Sequence, residues 1–177
     1  NGTSITLGLT LTGLPDGSEV LTVNPSGADT IYDNPGNAAI ANQSNNTVTL
    51  NDQTPPTISA IATSAFSWGA VLNSTEDNSN GTVTVTTSGA EDGQTVTITL
   101  NGAEYTGTVS SNSTTVTISA AGLQALTDGS SYTMTADVSD AAGNAASTVT
   151  SSSFSVDTTA PTISAIATSA FSWGAVL

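Results

Sequence analysis

The chain has 177 residues, 14 of them acidic, and contains no Lys, Arg, His or Cys, which leaves a formal charge of −14. Nucleic acid and membrane contact are excluded, because anionic phosphates and headgroups are bound through Lys and Arg and no run of 18 apolar residues is present to span a bilayer. The same absences remove Ser–His pairs, thiolates, Schiff bases and P-loop lysines, so no enzyme is expected, and the remaining chemistry is that of carboxylates and oxygen-bound hard cations.

In chain order, residues 1–52 carry TSITLGLTLTG, EVLTVNP and NTVTLND, strand-like stretches with a turn at Pro15-Asp16-Gly17. No charged leader precedes them, so no signal peptide is read here. TISAIAT (57–63) is the next apolar stretch, followed by the phrase SAFSWGAVL and a polar loop, NSTEDNSNG. TVTVTT (82–87), QTVTITL (94–100), AEYTGTV (103–109) and TTVTIS (114–119) then alternate with period two. That period puts Val83 and Val85, and likewise Val96, Ile98 and Leu100, on one face of their strands. Asn101-Gly102 is a two-residue hairpin signal. AAGLQAL (120–126) breaks the alternation and reads as one or two helical turns, before YTMTADV (132–138) and STVTSSSFSV (147–156) resume it. About seven strands in roughly 100 residues predict an all-β, antiparallel β-sandwich.

The sequence also repeats itself. PTISAIATSAFSWGAVL occurs at 56–72 and again, unchanged, at 161–177, and DQTPPTIS from Asp52 is answered by DTTAPTIS from Asp157. YDNPGNAA (32–39) likewise corresponds to SDAAGNAA (139–146). The expected organisation is a tandem array: residues 1–52 as the C-terminal part of one repeat, 53–157 as a complete repeat, and 158–177 as the opening of the next identical one.

VSDAAGNAA (138–146), VDTTAPTI (156–163) and LTDGSSYTMTADVSD (126–140) resemble the bacterial Ig-like repeats of giant adhesins and other large surface proteins. The resemblance covers roughly residues 53–177. It implies tandem Ig-like sandwiches forming an extracellular stalk on the cell surface, with adjacent repeats as partners. It also implies calcium near the domain junctions, carried over to Asp140, Asn144 and Asp157, and in the first segment to Asp33, Asn37 and Asp52. Tyr132 stands where such folds place a tyrosine corner, a hydroxyl bonded to backbone upstream.

Calcium takes six to eight oxygens, several of them carboxylate. Asp137 and Asp140 lie three apart and need a bend after Val138 to converge, while Glu76 and Asp77 in the NSTEDN loop add two further candidate ligands. The competing reading of these residues is that loop Asp and Asn side chains form Asx turns. Gly143 and Gly36 are expected at positive φ, with Asn144 and Asn37 as residues that tolerate the left-handed region. Phe66, Trp68 and Phe154 read as core rather than as a sugar-binding platform, and Glu91-Asp92 as a solvated turn rather than a pair of hydrolytic carboxylates.

The function expected is therefore a structural spacer, stiffened by Ca²⁺ at its junctions. The alternative is a filament subunit in which neighbouring copies associate head to tail, residues 57–63 or 162–168 completing another chain's sheet.

Overall fold

A computed structural model describes residues 8–24, 26, 32, 35–40, 44 and 46–164. Two short strands occupy the first segment, β1 (Val20–Thr22) and β2 (Thr47–Thr49), paired antiparallel with Leu21 opposite Val48. Residues 8–13 of the first strand-like stretch carry no strand. Leu9, Leu11, Leu14, Val20 and Val48 are all exposed.

From residue 57 onward the strands are β3 (Thr57–Ile58), β4 (Val71–Asn73), β5 (Gly81–Ser88), β6 (Thr95–Leu100), β7 (Ala103–Thr108) and β8 (Ser113–Ile118). After helix α1 (Ala120–Gln124) come β9 (Ser131–Tyr132), β10 (Met134–Asp137), β11 (Val149–Thr150) and β12 (Phe154–Asp157). One sheet runs β3-β5-β8, a second β11-β10-β6-β7, and a third, β4-β12-β9, closes the side between them. All described pairings are antiparallel except β4 with β12.

Alternation decides the faces. Val83 and Val85, Val116 and Ile118, and Val96, Ile98 and Leu100 point inward, while the intervening Thr residues carry the outer faces. Asn101 (φ 50°) and Gly102 (φ 80°) make the two-residue turn between β6 and β7, the left-handed pair that matches strand twist. Ser119 caps α1 by accepting a hydrogen bond from the Gly122 N–H at 3.2 Å, and Leu123 points into the core.

Two of the expected strands are divided. YTMTADV splits at Thr133 between β9 and β10, and STVTSSSFSV breaks at Ser151 to Ser153, where the chain leaves β10 for the third sheet. Ser151 covers the break: its hydroxyl accepts from the Met134 N–H at 2.9 Å and donates to the Ser152 carbonyl at 3.0 Å. TISAIAT forms only the two-residue β3, followed by a 3₁₀ turn at Thr63–Ala65.

One hydrophobic cluster, drawn from Ile61 to Val156, fills the interior. Its aromatic part is Phe66 stacked on Trp68 (ring centroids 5.4 Å apart), with Phe154 edge-on to both at 5.7 and 5.4 Å. Trp68 is 5% exposed, so these rings are core and not a ligand platform. The Tyr132 hydroxyl accepts from the Thr127 N–H at 2.9 Å, the expected tyrosine corner.

Candidate functional site at the unit junctions

Strand direction separates the sequence-derived ligands. β3 starts beside the end of β5, Thr57 opposite Ser88, and β10 runs back toward that same end. Asp137, Asp140 and Asn144 therefore lie at the leading end, beside the linker from Asp52. β12 runs the other way and places Asp157 opposite Asn73, beside the 3₁₀ turn Glu76–Asn78. Asp157, Glu76 and Asp77 thus lie at the trailing end, away from Asp137 and Asp140.

At the leading end, residues 139–145 form a closed turn. Ser139 bridges Ala145, and Gly143 takes φ 92° as expected. The Asp140 N–H donates to the Asn144 carbonyl at 3.1 Å, and the Gly143 N–H to the Asp140 carbonyl at 3.2 Å. Asp140 Oδ1 accepts from the Asn144 backbone N–H at 2.7 Å and Oδ2 from the Asn144 side-chain amide at 2.8 Å. Asp140 is 3% exposed. Burial pushes its pKa up, and the hydrogen bonds from the Asn144 side chain and from the turn's N–H groups outweigh that and hold it below the ordinary value. Asn144 is not left-handed; it serves as a hydrogen-bond donor.

Two neighbours grip this turn. Glu91 accepts from the Ala141 N–H at 2.8 Å, and Asp92 from the Ser111 N–H at 2.7 Å, so both acids order loops. On the linker side, the Asn144 side-chain amide donates to the Asp52 carbonyl at 3.3 Å. Asp52 Oδ1 takes the Thr54 N–H at 2.8 Å. The Pro15 carbonyl accepts from the Gln53 N–H at 2.8 Å and from the Thr54 hydroxyl at 2.9 Å. Asp137 Oδ1 is occupied by the Thr148 hydroxyl.

At the trailing end Asn73 organises the loop. Its Oδ1 accepts from Thr75 N–H (2.9 Å) and Glu76 N–H (3.2 Å), while its own N–H donates to Glu76 Oε2 at 3.1 Å. The residue that holds the outgoing linker is Asp128, outside the ligand set that the sequence suggests. Its Oδ1 accepts from the Thr158 N–H at 2.7 Å and its Oδ2 from the Thr159 hydroxyl at 2.5 Å. These bonds, the Thr159 hydroxyl foremost and the Thr158 N–H next, hold its pKa low. A signal for it was present: LPDGSEV (14–20) and LTDGSSY (126–132) each precede a D-x-T-x-P junction.

In the first segment Gly36 takes φ 96° and Tyr32 bridges Ala38, the same geometry as at 139–145. Asn37 follows Gly36 in that turn, and Asp33 lies outside the described residues. Among the described residues no three carboxylates come together as a metal-binding group, so the donor set fits at most a weak, largely hydrated ion rather than a cage.

No family model matches the chain, and no curated protein does. Solved structures do match. A bacterial immunoglobulin-like domain from the M. primoryensis ice-binding adhesin is 31% identical, covering 58% of this chain and 95% of that one, with a TM-score of 0.40. A structure giving insight into host cell surface retention of a 1.5-MDa bacterial ice-binding adhesin is 28% identical over 72% of this chain (TM-score 0.42). That of a Ca²⁺-stabilized adhesin that helps an Antarctic bacterium reach out and bind ice is 27% identical over 73% (TM-score 0.44). This chain spans 40% and 31% of the lengths of the latter two.

Proposed function

This chain belongs to the bacterial immunoglobulin-like domains, and from that premise we propose that it is a non-catalytic spacer of an extracellular, adhesin-like surface protein. Repeats 1–52, 53–157 and 158–177 follow one another in this reading, and the work of each is reach and stiffness. The observation that carries it is the linker at 52–54, tied to Pro15 on one side and to Asn144 on the other. A further support is that, among the described residues, the buried hydrophobic cluster runs from Ile61 to Val156 with Ile58 packed against it, which gives the central unit an interior of its own.

Single-molecule stretching tests the reading. A discrete unfolding event should release a contour length of roughly 300–350 Å, the reach of about 105 extended residues less the folded width. Featureless extension without such an event contradicts it.

Calcium enters the proposal as a weak ligand drawn by charge. Its candidate donors are Asp52, Asp137 and the Asn144 side-chain oxygen at one junction, where Asp140 would have to release the Asn144 amide to join them, with Glu76, Asp77 and Asp157 at the other. With a dissociation constant on the order of 1 mM, 10 mM Ca²⁺ adds about 1.4 kcal/mol, which raises the melting midpoint by roughly 5 °C. No rise beyond that of NaCl at equal ionic strength removes calcium from the account.

The filament alternative draws on the exposed apolar residues of the first segment. Of its two donor segments, residues 57–63 are engaged within this chain, where Thr57 and Ile58 pair with β5 and Ile61 is buried. That favours residues 162–168 as the donor, and concentration-dependent mass in light scattering distinguishes this reading from the spacer.

A further inference from the structure

The two junctions carry complementary halves of one arrangement. At the first, the Asp52 carbonyl receives the Asn144 side-chain amide from the unit that follows. At the second, the linker Asp157-Thr158-Thr159 is already held from behind by Asp128. The opening of a following copy is present at 161–177, identical to 56–72. We propose that the asparagine of the D-x-x-G-N turn is a linker receptor: in each repeat its carboxamide binds the carbonyl of the first linker residue behind it, so that the Asp157 carbonyl is the docking point for the equivalent asparagine of a second copy of this repeat.

The chemistry is specific to an amide at this position. The Asn144 Nδ2 has two protons, and its two acceptors, Asp140 Oδ2 and the Asp52 carbonyl, use both. Asp140 aims the amide, and Glu91 fixes the turn that carries Asp140 by accepting from Ala141. The amide therefore arrives at the linker already oriented, and binding immobilises little that was free. The acceptor is a backbone carbonyl, so the linker's side chains can vary, as Gln53 and Thr158 do, without loss of the contact. A hydrogen bond between uncharged groups is also insensitive to salt, unlike any contact made by this chain's carboxylates.

This inference rests on the spacer reading, and a distance measurement on the whole chain separates the two. The chain has no Cys, so Thr12→Cys and Thr117→Cys, both exposed, place two spin labels, one ahead of the linker and one in the central unit. The labelled chain is expected to give a single narrow distance distribution. Asn144→Ala should at least double its width; the variant also loses the bond to Asp140 Oδ2, so its melting midpoint falls, and the widths are compared well below that midpoint, where both chains are folded. A broad distribution before any change at Asn144 overturns the spacer reading itself. A narrow one that Asn144→Ala leaves narrow overturns only the receptor. Should the alanine variant fail to fold, the unaltered chain decides: a nuclear Overhauser contact between the Asn144 side-chain amide and the Gln53 Hα, which lies on the oxygen side of the Asp52–Gln53 peptide, is expected, and its absence overturns the proposal.

Discussion

Asp140 is a carboxylate that water hardly reaches, in a chain with no cation to neutralise it. One asparagine satisfies both of its oxygens. A carboxylate whose pKa is depressed by folding binds fewer protons folded than unfolded. Its stabilising contribution is therefore complete above the unfolded pKa, near 4, and is lost as pH falls through the lower folded value. Asp128 behaves in the same sense. Stability is expected to stay level from pH 7 to about 5 and to fall below about 4, and Asp140→Asn should show a shallower fall; an unchanged acid profile in that variant rules out this role for Asp140. At this scale Tyr132 was legible through resemblance, because LTDGSSY stands where Ig-like folds place a tyrosine corner with its hydroxyl on upstream backbone. Asp128 was not, since an Asp-Gly turn looks alike whether it faces solvent or holds a linker thirty residues away.

Elements were legible wherever Thr/Val alternation fixed a face. The five segments from Gly81 to Gln124 form within two residues of their expected limits. What escaped was non-local. β4 comes from SAFSWGAVL, which does not alternate, and it becomes a strand only by lying parallel to β12, with Leu72 opposite Val156. The breaks at Thr133 and Ser151 are likewise set by which sheet each half joins, and alternation carries no information about that. The same phrase supplies Trp68, and β5 makes room for it with glycine: a Cβ on Gly81 would lie 2.5 Å from Trp68 Cζ3 and 2.8 Å from Cε3. Gly81→Ala should accordingly destabilise the fold by about 1–3 kcal/mol, the usual cost of overpacking. Denaturant unfolding measures it, and a neutral result would mean that Trp68 can move aside.

At the scale of the whole molecule, the buried cluster of the described residues runs from Ile61 to Val156, and the candidate ligands lie at the two ends of that body. The candidate ligands were identifiable in sequence as residue types, but their division between ends depends on strand direction, which spacing alone does not give. Asp140 and Asp157 are 17 residues apart and face different neighbours. A spacer requires successive units to be held out along a line. Small-angle X-ray scattering of the chain in chelator at 0.15 M NaCl tests it most directly. A compact globule of this length has a radius of gyration of about 16 Å and a disordered chain about 45 Å. A spacer gives a value clearly between them, with the profile of an elongated particle that does not change on adding calcium; a value at either limit rules the spacer out.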